Sequence, residues 1–178
     1  MGRKKTIDRN EVLDAAERVV RDKGASGLSI GAVAQEADIS KGGVQSCFGT
    51  RDALIEAMFE RWDKDFDAQL EEQRSSDTSG HGEVKAYISA VHLDITERHL
   101  RNAAMLLLLA QTEEHRIKAR EWYRNYFDKL DLSTDEGRRL RIAILATEGV
   151  FMLSSLGMTD FSKSEWDDLL KDILALTR

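Results

Sequence analysis

Residues Leu28 to Leu54 read LSIGAVAQEADISKGGVQSCFGTRDAL, and the spacing inside this stretch decides the fold. Ile30, Val33, Ala34 and Ala37 recur at the three- and four-residue intervals of one helical face. Asp38-Ile39-Ser40 interrupts that face, and Val44 and Phe48 resume it. The pattern predicts two short helices around a tight turn, followed by the start of a third. Such a helix-turn-helix is built to place its second helix in the major groove of DNA. Ala34 is small enough for the two helices to approach closely. Asp38 falls where the chain needs a left-handed residue, a conformation glycine adopts most easily and Asp tolerates. Ile39 fills the space between the helices, and Ser40 and Thr50 stand where N-caps are needed.

Upstream, Asp8 and Glu11 have the spacing of a capping box. They open a predicted helix that buries Val12, Leu13, Ala16, Val19 and Val20, and Gly24 suits its C-terminal end. Downstream, Leu54, Met58, Trp62, Phe66 and Leu70 fall at four-residue steps, predicting one long helix over residues 51–74. Residues 75–82, SSDTSGHG, read as a loop. Helices are then expected over 83–100, 102–111, 113–130, 134–156 and 164–176. The Asp131-Leu132-Ser133 break leaves Ser133 and Glu136 in capping-box spacing. The chain has no proline and little β-type alternation. The expected fold is all-α, with a three-helix DNA-binding domain in residues 1–50 and a helical bundle in 51–178.

These residues resemble the tetracycline-repressor (TetR) family of transcriptional regulators. The resemblance runs over roughly residues 7 to 62. It covers the VLDAAERVV helix, Gly24, LSIGAVAQEADIS, SKGGV, Phe48 and the TRDAL start of the next helix. One departure lies in the recognition helix. The family commonly carries a tyrosine, a second aromatic residue and a histidine before the phenylalanine, and here those positions are Gln45, Ser46 and Cys47. Lys41 and Gln45 have the chemistry to read base edges, Lys reaching guanine and Gln pairing with adenine, with Ser46 beside them. Gly42 and Gly43 weaken the helix by roughly 1 kcal/mol each relative to alanine but allow close backbone approach. Ser29, Arg51 and an N-terminal arm of Arg3, Lys4 and Lys5 are expected to hold phosphates.

The chain has 178 residues and a net charge of −6, an unpromising total for a DNA-binding protein. The charge is unevenly spread: residues 1–52 carry +1 and the remainder −7. A local basic patch, not the sum, governs phosphate contact. One cysteine excludes an internal disulfide and fits a reducing compartment. No apolar run reaches the ~20 residues of a membrane span, and the basic start lacks the apolar core of a signal peptide. A cytoplasmic protein is expected. Metalloprotease and phosphate-loop motifs are absent, so neither a catalytic residue, a metal nor a cofactor is expected. His92 and His99 share a helix face and read as surface histidines. Cys47 has basic neighbours that could activate its thiol, yet it equally suits a half-buried packing position.

The apolar run IAILATEGVFMLSSLGM, residues 142–158, carries large side chains on more than one side, as a helix buried on both sides does. The resemblance implies that the last two helices pair with those of a second copy in a homodimer. Leu140, Ile144, Phe151, Ser154, Trp166, Leu170 and Ile173 are the expected interface. It also implies that a small hydrophobic effector lodges between the bundle helices. Trp62, Phe66, Tyr87, Leu108, Trp122 and Tyr126 could line an aromatic cavity there. Glu148, a lone carboxylate in an apolar run, could face such a cavity as counter-charge for a cation, or lie at the interface. Core packing would also account for the aromatic residues. The expected function is a repressor released from a double-stranded DNA operator by this ligand. A regulator of the same fold without a small-molecule ligand remains open, as does a small helical enzyme or scaffold containing a helix-turn-helix.

Overall fold

The computed structural model describes residues 7–74, 79–109 and 113–178. Every regular element among them is helical: α1 (Arg9–Lys23), a 3₁₀ turn (Ala25–Gly27), α2 (Ile30–Glu36), α3 (Lys41–Phe48), α4 (Arg51–Gln73), α5 (Gly80–Leu109), α6 (Glu113–Phe127), α7 (Asp135–Ser155) and α8 (Lys163–Ala175). The arm residues Arg3, Lys4 and Lys5 lie outside the described residues. No described helix is long and apolar enough to cross a membrane.

Two compact units divide the chain at Asp63/Lys64, inside α4, whereas the expected boundary was 50/51. The reason is that the first half of α4 completes the first core. Leu54, Ile55, Met58 and Trp62 are buried there, in the same unit as Val12, Val19, Leu28, Val33, Val44 and Phe48. The helix ends follow the expected chemistry. Asp8 accepts from the Asn10 N–H, Ser29 from Ala32, Ser40 from Gly43 and Thr50 from Ala53, at 2.8–3.1 Å. Asp38 takes φ 53° at the turn between α2 and α3, and the Ile39 N–H closes that turn on the Ala34 carbonyl at 3.0 Å.

In the second unit α5 and α7 pack along one another and α8 packs on both. The core joins Val84, Tyr87, Ile88 and Val91 of α5 to Leu140, Ala143, Ile144 and Phe151 of α7 and Ile173 of α8. The helix break expected near residue 101 does not exist, because residues 99–109 are HLRNAAMLLLL, with no glycine or proline to end a helix. The cap of α7 is Thr134, which accepts from the Gly137 N–H at 3.0 Å, while Ser133 turns back to Asp131. Only a glycine fits at 137, since a Cβ there would lie 2.0 Å from the Asp131 carbonyl oxygen.

Candidate nucleic-acid interface and regulatory core

The helix α3 has two faces. Gly43, Val44 and Phe48 are buried, while Lys41, Gly42, Gln45 and Ser46 are exposed. Exposure at positions 41, 42, 45 and 46 is one continuous helical strip. Lys41 runs alongside α2, its Cε 3.0 Å from where a Gly31 Cβ would be. Gly43, expected to face DNA, instead turns inward, because Val44 and Phe48 dock that side of the helix. Cys47 is half-buried beside it. Ser29 caps α2 with its oxygen and remains exposed.

Arg51 also departs from expectation. Its Nε donates to the Leu28 carbonyl at 2.8 Å and its Nη2 to the Ala25 carbonyl at 3.4 Å. It fastens the start of α4 to the turn before α2, so two of its donors serve the fold. The α1 helix makes three comparable ties that sequence spacing did not flag. Arg18 meets Glu36 of α2 at 2.7 Å. Arg61 of α4 bridges Asp14 at 2.6 Å and Glu17 at 2.5 Å. Arg9 reaches the end of α3, donating to the Cys47 carbonyl. Pairings between residues so far apart in sequence leave no local signature.

In the second unit Glu148 of α7 is buried, and both of its oxygens accept phenolic hydrogen bonds. Tyr87 of α5 donates to Oε1 and Tyr123 of α6 to Oε2. Burial nevertheless raises the Glu148 pKa above the ordinary carboxyl range, against the lowering effect of the two bonds. Desolvation and the facing carboxylate push both phenols up, and burial pushes Tyr126 up to about 12. Phe66, Trp122 and Tyr126 complete the group, with ring centroids 4.6–5.9 Å apart. These contacts are edge-on or tilted, the favoured aromatic geometry. His115 is the one fully buried residue of α6, and Trp122, Tyr123 and Tyr126 form a partly buried wall beside the carboxylate.

Two expected members are not part of this group. Trp62 belongs to the first unit, where its Nε1 donates to Glu17 at 2.6 Å and its ring meets Phe59 edge-on. Leu108 is buried near the end of α5 and is not among the residues of the second core. Tyr123, expected among the aromatics between the bundle helices but not in the lining of the cavity, is a direct partner of Glu148. Its signal lay in the WYRNYF run, where four aromatics fall within six residues.

The expected interface residues divide differently. Leu140, Ile144, Phe151 and Ile173 are buried within the single chain, so they are core. Trp166 and Leu170 are partly buried against that core, and Ser154 meets Thr159 at 3.2 Å. The exposed apolar strip of α7 and its C-cap is Ile142, Leu145, Met152, Leu153 and Leu156, each 43–54% exposed. A separate small cavity of about 10 Å³ lies between α5, α7 and α8, lined by Ile88, His92, Ile95, Thr147, Val150 and Trp166 among others. Burial lowers the His92 pKa, and Asp167, 4.0 Å away, opposes the shift. Among the described residues no cluster of His, Cys, Asp and Glu could hold a metal ion.

Two family models match the chain. One, described as bacterial regulatory proteins of the tetR family, covers residues 12–58. The other, a tetracyclin repressor-like C-terminal domain, covers residues 81–178. Among solved structures, a TetR-family transcriptional regulator from Streptomyces coelicolor is 20% identical with TM-score 0.72, over 96% of this chain and 94% of that one. The fatty acid degradation regulator FadR from Bacillus halodurans is 15% identical with TM-score 0.73, over 96% and 97%. The multidrug binding protein EbrR, complexed with malachite green, is 25% identical with TM-score 0.70, over 94% and 96%. No curated protein sequence matches significantly.

Proposed function

We propose, from the premise that the chain belongs to the TetR family of transcriptional regulators, that it is a homodimeric repressor acting on DNA in the cytoplasm and released by a small hydrophobic ligand. The observation that carries the DNA-binding half is the two-faced α3, with Lys41, Gln45 and Ser46 outward over buried Val44 and Phe48. A single eight-residue helix reads too few base pairs for useful specificity. Two copies, with recognition helices one DNA turn or ~34–36 Å apart, read a two-fold symmetric site. The exposed strip from Ile142 to Leu156 supports the pairing, because its five residues share one side of the helix and would be covered by its own symmetry mate.

The ligand half rests on Glu148. A carboxyl group buried beside five aromatic rings is a place where a lipophilic cation gains from the ring faces and, by favouring loss of the proton that burial retains, from charge. EbrR binds malachite green in a chain of this fold, which supports a hydrophobic occupant of the bundle. Entry would displace the Tyr123 hydroxyl and lift α6, the wall with least buried surface. A ligand of this kind shifts the protein off DNA only if it binds the non-competent conformation more tightly. The close packing of the rings favours a second reading, in which the Tyr87–Glu148–Tyr123 network only pins three helices and no small molecule is involved. The discriminating experiment selects an operator from random DNA, then adds tetraphenylphosphonium or neutral triphenylphosphine oxide to the complex. Release by the cation supports the proposal. Intact complex with both compounds favours the ligand-free reading, and failure to select any site removes the DNA-binding one.

A further inference from the structure

The helix α3 has little of its own to hold its shape. It is eight residues long and opens Lys41-Gly42-Gly43, and a helix that short does not persist alone in water. Both of its ends meet one short segment at the start of α1. At the N-terminal end Gly43 lies under Ile7: a Cβ on Gly43 would stand 2.7 Å from Ile7 Cδ1 and 3.5 Å from Ile39 Cδ1. At the C-terminal end Arg9 Nη1 donates to the Cys47 carbonyl at 2.5 Å, and its guanidinium carbon sits 4.3 Å from the centre of the Phe48 ring. The adjacent carbonyls have backbone donors, Gly49 to Gln45 at 2.7 Å and Thr50 to Phe48 at 2.9 Å. Arg9 therefore completes the helix end from outside and brings positive charge to the negative pole of the helix. Between Ile7 and Arg9, Asp8 is fixed as the cap of α1, so the first turn of α1 sets where both side chains reach.

We propose that Ile7–Arg9 is a strap across both ends of α3, and that Arg9 is a positioning residue for base readout, acting through Cys47 and Phe48 without touching DNA. Gln45 and Ser46 immediately precede the two residues that Arg9 holds. With Arg9 gone, Val44 and Phe48 keep α3 docked, but its last turn loosens and the exposed side chains lose their aim. The inference rests on the reading of α3 as the base-reading helix.

The test measures binding of the full chain to a site that the wild type selects from random DNA, and to a scrambled duplex, over a range of salt. Arg9→Met keeps the stem and removes donor and charge. Affinity for the selected site should fall about tenfold, the scale of a helix-end charge together with a ring contact. Affinity for scrambled DNA should change less than about twofold, so the ratio of the two falls. Partial unfolding would lower both affinities alike and leave that ratio unmoved. The slope of log affinity against log salt should hold, whereas loss of a direct phosphate contact reduces it by about 0.9. Arg9→Lys, which keeps charge and donor but not the flat stack, should recover part of the ratio. Ile7→Ala, which removes the contact at the other end of α3, should lower the ratio as well. Equal losses on both duplexes, a slope reduced by one phosphate, or an Ile7→Ala ratio equal to that of the wild type would each overturn the strap. A wild type that selects a site while Arg9→Met keeps its ratio overturns the strap alone. A wild type that selects none overturns the reading of α3, and the strap with it.

Discussion

Leu145→Ala should weaken the dimer while leaving the protomer folded. Leu145 is 54% exposed in the single chain, so a covering partner would remove about half of its surface from water. Complete burial of a leucine side chain is worth about 1.5–3 kcal/mol, so the half still available contributes roughly 0.8–1.6 kcal/mol. Two-fold symmetry presents the residue twice, giving about 2–3 kcal/mol per dimer. At 1.4 kcal/mol per decade this raises the dimer dissociation constant about 30- to 150-fold. Sedimentation velocity across a dilution series reads that shift directly. The control is Leu140→Ala on the same helix. Leu140 is 4% exposed, so its truncation leaves a cavity and should cost about 2–5 kcal/mol of folding stability. The two variants should separate, one in association and the other in thermal melting. An unchanged dimer constant for Leu145→Ala, or a wild type that stays monomeric at micromolar concentration, would refute the assignment of this face.

Glu148→Gln should raise the melting temperature of the ligand-free protein, and more so at high pH. Because burial raises the folded-state pKa of Glu148, the fold favours the protonated form. The destabilisation is therefore absent below the ordinary carboxyl range and grows as pH rises toward the raised value; a melting difference that does not widen between pH 4 and pH 8 would contradict this. Arg51→Ala should lower thermal stability and leave the salt dependence of DNA binding nearly unchanged, since its Nε and Nη2 donate to the Leu28 and Ala25 carbonyls; a salt slope reduced by about one would mark it as a phosphate ligand as well. For His92 the folded pKa is lowered by burial. The fold then prefers the neutral ring, so stability is full above the ordinary histidine range and declines as pH falls through it. His92→Gln should flatten that decline, and an identical pH profile for the variant would discount the effect.

The DNA-binding unit was legible because its signals are local. Asp38 announced a left-handed turn, and Ser40 and Thr50 announced caps, within a few residues of where each acts. The regulatory half was legible only as helices. On α7 one apolar series, Leu140, Ile144 and Phe151, faces inward, and another, Ile142, Leu145, Met152 and Leu156, faces out. Both have helical spacing, and periodicity does not say which is covered by the chain's own neighbours. Trp62 and Arg51 misled for a related reason. Each looked like a free functional group, and each is held by a partner dozens of residues away, Glu17 for one and the Leu28 and Ala25 carbonyls for the other.

Because the two units divide in the middle of α4, the DNA-reading part is not a cartridge that can be clipped off at the third helix. One continuous helix carries Leu54, Met58 and Trp62 for one core and Phe66 and Leu70 for the other. A fragment ending at residue 50 lacks Leu54, Ile55, Met58 and Trp62, four large side chains of its own core, and should fail to fold, whereas one ending at residue 63 keeps all four. Hybrids that give this reading head the bundle of a relative should therefore be spliced within the helix after Asp63, and splices at its first residue should yield insoluble or unfolded chains.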